Sequence, residues 1–175
     1  MTTETITLAG GCFWCLEAVY ERVRGVQRVE NGYSNGQGPA PSYEAVCGGN
    51  TGYAEVVRVE FDPAQVSLRE LLEVFFTIHD PTTLNRQGAD VGTQYRSGIY
   101  WHTEAQRQLA AEVLQEVNDH HAGRAVTELL PEANYHPAEA YHQRYYARNP
   151  DQGYCAFVVA GKVDKFLASF KRLVK

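Results

Sequence analysis

The chain of 175 residues has no apolar run long enough to cross a membrane, which excludes a transmembrane helix. It has no excess of basic residues. Its net charge is −5 with both signs interspersed, which argues against a nucleic-acid surface as its main function. It has no internal repeat, low-complexity tract or linker-like shift in composition. One domain over residues 1–175 is expected, since this length suits a single core and is short for two. The stretch MTTETITLAGG lacks a basic region followed by an apolar one, so no signal peptide is expected and the expected location is cytoplasmic. Cysteines are few. Cys12, Cys15, Cys47 and Cys155 cannot make a disulfide scaffold in a chain this long. There is no second C-x-x-C, and His120 and His121 lack metal-ligand spacing to the first, so no zinc site is expected.

What is present reads as alternating strands and helices. TITLA (5–9), VQRVENGYS (26–34), AEVVRVEF (54–61), SGIYWH (97–102) and VTELL (126–130) read as strands. Leu16, Val19, Tyr20 and Val23 lie at helical spacing, with Gly25 suited to the stop. Ser67 and Glu70 form a capping box ahead of Leu68, Leu71, Leu72 and Phe75. Thr103 and Gln106 open a longer helix, residues 137–147 read as helical and tyrosine-rich, and Val163, Phe166, Leu167 and Phe170 mark a terminal helix. This order predicts an α+β fold rather than a parallel doubly wound sheet. The expected form is a ferredoxin-like two-layer sandwich with a mixed, mainly antiparallel sheet and an extended C-terminal region. A loop-rich segment at about 131–160 carries Cys155.

Cys12 follows Gly10 and Gly11 at a strand-to-helix junction. Unsatisfied N–H groups and the positive end of the helix dipole favour an anion there, so its pKa is expected to be lowered. A small buried hydrophobe is the commonest fate of a free cysteine, but the glycines and the helix start weigh against it. Phe13 and Trp14 are either core or an apolar wall for a small hydrophobic group. Cys15 completes a C-x-x-C, yet it shares a stripe with Leu16, Val19 and Val23, which favours a buried structural thiol. Cys47 reads as structural. Cys155 follows the Pro/Gly-rich NPDQG, mobile enough to carry a thiol to a distant partner, or else begins a buried run. The pattern around Glu55 favours a solvent-facing side chain; if buried, it would be held protonated. Asp90 reads as a surface aspartate, and Tyr43 and Tyr95 are distinguished only by their loops.

GGCFW, YEAVCGGNTGYAEVVRVEFDP, FFTIHDPTTLNRQGADVGTQYRSGIY and NPDQGYC occur in this order. Together they resemble the A-type peptide methionine-S-sulfoxide reductases, over roughly residues 5–170. By that resemblance Cys12 is the catalytic cysteine, and Phe13 and Trp14 receive the substrate methyl group. Glu55 is the acid acting on the sulfoxide oxygen, and Tyr43, Tyr95 and Asp90 are its hydrogen-bonding shell. Cys155 is the recycling cysteine. Three departures stand out. Tyr53 replaces the family's common histidine, no cysteine follows Cys155 to extend a relay through the tail, and Cys15 is found in only some members.

The resemblance implies that methionine-S-sulfoxide, free or in oxidised proteins, is reduced through a Cys12 sulfenic acid. A second thiol then condenses with it, and thioredoxin restores the dithiol. No metal or organic cofactor is implied, and a monomer is expected. The disulfide expected is Cys12–Cys155, because Cys15 is fixed on the same helical turn, which leaves Cys15 as the alternative resolving thiol. The competing reading is a thioredoxin-like disulfide oxidoreductase using Cys12 and Cys15. Large aromatics inside the C-x-x-C argue against it.

Overall fold

The computed structural model describes residues 2–175, so only the first residue of the expected 1–175 domain lies outside it. The strands are β1 (Glu4–Gly10), β2 (Val26–Ser34), β3 (Ala54–Phe61), β4 (Arg86–Gln87), β5 (Asp90–Val91), β6 (Ser97–Trp101), β7 (Glu128–Pro131) and β8 (His136–Pro137). The helices are α1 (Phe13–Tyr20), α2 (Tyr43–Cys47), α3 (Leu68–Ile78), α4 (Glu104–His120), α5 (Tyr145–Arg148) and α6 (Ala160–Ser169). Six strands form one mixed sheet in the order β7-β6-β1-β3-β2-β8, and β4 and β5 make a separate small hairpin. Within the large sheet β6 and β7 run parallel, and the other neighbours are antiparallel. The α+β class and the mainly antiparallel sheet agree with the sequence.

Alternation along β3 divides the molecule. Val57, Val59 and Phe61 join Ile6, Leu8, Leu16, Leu72 and Phe75 in the main core beneath the helices. Ala54 and Val56 join Ala9 and Tyr100 in a smaller cluster on the opposite face. Each fully buried large side chain contributes roughly 1.5–3 kcal/mol. Helix α1 packs on β2 and β3, α3 lies against α4, and α6 touches both α1 and α3. Helix α3 begins where expected: the Ser67 side chain accepts from the Glu70 N–H at 3.1 Å, and Glu70 accepts from the Ser67 N–H at 3.0 Å.

Two expectations change. Helix α1 ends at Tyr20, before Val23, because residues 173–175 pair with the next backbone groups. Val23 pairs with Val174, and the Lys175 N–H donates to the Arg22 carbonyl at 2.9 Å. Residues 137–147 are not one helix. They form the short β8, a single tight turn at Ala140–His142 and the start of α5, interrupted by Arg144 at φ 55°. Pro137 cannot donate within a helix, and the Gln143 carboxamide is committed elsewhere. It accepts from the Asn31 N–H at 2.9 Å and donates to the Asn31 carbonyl at 2.9 Å, so it continues the β2 ladder where β8 has ended.

Candidate active site

Strand β1 ends at Gly10, and α1 starts three residues later. The turn requires glycine at residue 11. Gly11 has φ +95°, and a Cβ there would come within 2.7 Å of the Gln87 side chain. Cys12 occupies the helix N-cap with an extended backbone and no side-chain cap bond. A thiol in place of Ser or Asp is a weak acceptor for the first donors of α1. One of them has a partner: the Phe13 N–H donates to Glu55 Oε1 at 3.2 Å.

Glu55 is 1% exposed. The solvent-facing expectation is therefore corrected, and the reason lies in the strand period. Residue 55 shares its face with Val57, Val59 and Phe61, the face that the helices cover. Burial pushes its pKa up to about 8, with the charges of Asp90 and Cys15 adding and the Phe13 N–H opposing. At neutral pH it is a carboxylic acid with a proton to give.

The thiols also depart from expectation. Burial pushes the Cys12 thiol well above its ordinary value, and its hydrogen bond to Cys15 and the charge of Glu55 add to the rise. The lowering expected from the helix start is corrected, since desolvation outweighs the backbone bond from Trp14. Cys15 is lowered, first by the bond from Cys12, with Lys162 assisting. Cys15 is buried, as its stripe predicted. Cys155 does not sit on a mobile loop. It opens a π-helical stretch, Cys155–Val159, that runs into α6, and its N–H donates to Gln152 Oε1 at 3.0 Å. It is buried, and burial together with the charge of Cys15 raises its pKa. Cys47, read as structural, is exposed at the end of α2.

Phe13 and Trp14 meet a ring that the sequence did not single out. The His142 imidazole lies 5.2 Å from Phe13, 5.7 Å from Trp14 and 4.3 Å from Tyr43, centroid to centroid. Trp14 Nε1–H donates to His142 Nδ1 at 3.2 Å, which places the imidazole proton on Nε2. Trp14 stacks on Tyr145 at 4.0 Å. That stack is anchored by a second buried acid. Glu17, one turn further along α1, accepts from the Arg144 N–H at 2.8 Å, and burial raises its pKa to about 7. Tyr33 and Glu139 were also missed: the Tyr33 hydroxyl donates to Glu139 Oε1 at 2.8 Å, and Glu139 Oε2 accepts from the Tyr43 N–H at 2.9 Å. Glu139, Tyr141 and His142 fall in the segment expected to be a helix, so helical spacing gave no signal for them.

A cavity of about 160 Å³ is lined by Cys12, Cys15, Asp90, Tyr154, Val158 and Lys162, among others. Phe13, Trp14, Glu55, Tyr43 and Tyr95 do not line it. Asp90 Oδ2 accepts from the Tyr154 hydroxyl at 2.6 Å, and Tyr154 Oη lies 4.0 Å from Cys15 Sγ. Tyr43 and Tyr95 are half-buried, and both hydroxyls are held protonated, chiefly by burial with the charge of Glu55 contributing. The Tyr53 hydroxyl donates to the Gly38 carbonyl at 2.9 Å and pins the 35–42 loop. Among the described residues no cluster of His, Cys, Asp or Glu could hold a metal ion. A larger cleft of about 520 Å³, between Arg22, Arg28 and Arg144, has neither a thiol nor a neutral acid in its wall.

A thiol at a helix start, a second free thiol one turn further on and a neutral buried acid define an enzyme that carries out redox chemistry on a cysteine sulfur. Residues 4–173 match the peptide methionine sulfoxide reductase family. A relative from Polynucleobacter asymbioticus, named peptide methionine sulfoxide reductase MsrA, is 56% identical over 99% of this chain and 92% of its own. The reduced form of Mxr1 from Saccharomyces cerevisiae is 40% identical with a TM-score of 0.80, covering 87% of this chain and 89% of that one. Mxr1 in complex with Trx2 gives a TM-score of 0.57 at 30% identity, covering 82% and 84%. The chain belongs to the peptide methionine sulfoxide reductase family.

The buried acids predict a pH dependence of stability. The folded state keeps protons on Glu55 and Glu17 that the unfolded chain releases above a pKa of 4.5. The stability that these two acids contribute therefore falls as pH rises from there through about 8, while the buried His79, lowered to about 4, works the other way below its unfolded value of 6.5. Glu55→Gln is neutral throughout and should flatten the curve. Urea midpoints at about pH 5.5 and about pH 8.5 measure this. The same difference between the two midpoints in the variant as in the wild type would mean that Glu55 is ionised in the fold.

Proposed function

We propose that the chain reduces methionine-S-sulfoxide, free or within a peptide, to methionine at Cys12. The observation that carries this is the buried, neutral Glu55, bonded to the helix start beside Cys12. Oxide is a very poor leaving group, so a sulfoxide reacts with a thiol only when its oxygen is protonated or strongly hydrogen-bonded. Glu55 gives that proton, with the Tyr43 and Tyr95 hydroxyls and Asp90 completing the shell. Phe13 and Trp14 take the methyl group. Methyl, oxygen and peptide side meet different walls, and this selects one epimer.

The atoms balance without a cofactor. The Cys12 thiol and the sulfoxide exchange an oxygen, giving Cys12 sulfenic acid and methionine. Before substrate arrives Cys12 is a thiol. Glu55 protonates the sulfoxide oxygen, the Cys12 sulfur attacks the sulfur made cationic, and the Cys12 proton passes to the Glu55 carboxylate left behind. The sulfenic acid then condenses with a second thiol, releasing water and forming a disulfide. Cys155 is our choice for that thiol and Cys15 the alternative. A π-helical turn is rare and is often placed at functional sites, and rewinding it would carry Cys155 along. Thioredoxin then reduces the disulfide by exchange, a reading supported by Mxr1 having been seen with Trx2. Dependence on a thiol reductant suits a reducing, cytoplasmic setting.

The finer fold description belongs to this reading too. The run β1-α1-β2-β3-α3-β6, with strands ordered β6-β1-β3-β2, supports a ferredoxin-like core extended by β7, β8 and α6. One sheet drawing strands from residue 4 to residue 137, with α6 packed on α1 and α3, supports a single domain.

Cys12→Ser should be inactive on the S-epimer, as measured by methionine formed with dithiothreitol; activity above buffer would overturn the assignment. Glu55→Gln keeps a hydrogen-bond donor and should retain part of the single-turnover rate, whereas Glu55→Ala should lose roughly 10²–10⁴-fold. A wild-type rate in Glu55→Ala would make the carboxyl a bystander. Peptide mapping after one turnover should find a Cys12–Cys155 disulfide with Cys15 and Cys47 still reduced. A dominant Cys12–Cys15 bond would instead make Cys15 the resolving thiol.

A further inference from the structure

We propose that Glu17 is a positioning residue of the reaction: through the Arg144 N–H it fixes Tyr145, and through Tyr145 the plane of the Trp14 ring on which the substrate methyl group rests. The proposal deepens the functional reading above and rests on it. Glu17 is the one charged residue in the FWCLEAVY of α1, and it is 1% exposed. An apolar side chain would pack at that position without the cost of burying a carboxyl. Glu17 lines no wall of the thiol cavity, so its effect runs through what it holds.

What it holds is backbone under strain. Arg144 has φ 55° and ψ 36°, in the left-handed region. Of the five non-glycine residues with positive φ among the described residues, three are asparagine, the type that best tolerates it. Arg144 has no such excuse in its side chain, and strained backbone persists only where its surroundings fix it. Glu17 Oε2 fixes it, accepting from the Arg144 N–H at 2.8 Å across 127 residues of sequence. The guanidinium is a lesser anchor. It is largely exposed and meets Glu21 at 3.2 Å.

The residue that follows carries the consequence. Tyr145 opens α5 and stacks on Trp14, with ring centroids 4.0 Å apart and planes 6° apart. The indole N–H is held from another side by His142 Nδ1 at 3.2 Å. One contact sets the face of the ring and the other its edge, so Trp14 cannot turn. An indole has two faces. Tyr145 covers one, and the methyl group of a sulfoxide is left the other. That contact is made before and during the reaction alike, so losing it weakens binding more than chemistry.

Single turnover of the reduced protein at rising methionine-S-sulfoxide keeps recycling out of the measurement. Glu17→Met fills the same space but leaves the Arg144 N–H without a partner. It should raise the half-saturating concentration about tenfold, with the saturated rate within about twofold of the wild type. Glu17→Gln still accepts from that N–H and should match the wild type at about pH 6, where Glu17 keeps its proton. Tyr145→Ala should raise the half-saturating concentration by itself. Adding Glu17→Met to it should raise it no further, since one residue acts through the other. Trp14 emission should shift in Glu17→Met, read as the difference from Trp14→Phe because Trp101 is the only other tryptophan. Effects of the two variants that simply add would overturn the proposal, as would a fall in saturated rate at unchanged half-saturation or a loss in Glu17→Gln equal to that in Glu17→Met. Should Glu17→Met not fold, an unchanged half-saturating concentration in Tyr145→Ala overturns it. Wild-type protein that forms no methionine would remove the functional reading instead, and unchanged Trp14 emission would still overturn the link from Glu17 to the ring.

Discussion

The hydrogen bond from the Phe13 N–H to Glu55 joins the start of α1 to the middle of the sheet, and much else is arranged around it. A carboxyl at this depth is costly unless it is neutral or paired. Here a single backbone donor serves it, and the charges it feels, Asp90 and Cys15, both oppose ionisation. It therefore keeps its proton. That state lasts only while water is kept out, which needs α1 and the segment from His136 to Tyr146 to stay closed over β2 and β3. The closure is built from polar anchors, not apolar area alone. Glu17 holds the Arg144 backbone, Gln143 extends the β2 ladder, and Asn31 Nδ2–H donates to the His142 carbonyl at 2.8 Å.

The same enclosure decides the state of Cys12. A helix start favours an anion by roughly 0.3–1 kcal/mol, reaching about 2 kcal/mol in partly buried geometries. Desolvation of a buried thiolate can shift a pKa by several units at about 1.36 kcal/mol each, so burial wins. The free enzyme rests with protons on both Cys12 and Glu55. Because the thiolate rather than the thiol reacts with oxidants, a protonated Cys12 is spared until a sulfoxide enters and supplies the charge that releases it.

Most of the scaffold was legible in the sequence, because period and capping act locally. The four strands β1, β2, β3 and β6 and the box at Ser67 were readable from a few neighbouring residues. The site was legible only in part. Glu55 was misjudged although its signal was present, since residues 55, 57, 59 and 61 share one face of a strand. His142, Glu139 and Tyr154 gave no local signal. The partners of the first two lie about a hundred residues or more away in Phe13, Trp14, Tyr43 and Tyr33, and Asp90 lies 64 residues before Tyr154. The pKa of Cys12 was misread for a related reason: the helix start is visible in the sequence, and the amount of protein packed over it is not.

The exposure of the thiols explains why this chemistry uses more than one of them. Cys12 is only partly buried, whereas Cys15 and Cys155 are buried. Cys12 and Cys15 share the wall of a cavity of about 160 Å³ with Asp90, Tyr154 and Lys162, and the π-helical turn that carries Cys155 reaches the same wall at Val158. A sulfenic acid on the partly exposed sulfur is open to a second oxidation, which is irreversible. A thiol of the same chain that condenses with it first forestalls that step, and the disulfide that results holds the oxidising equivalent in a form that a dithiol reduces by exchange.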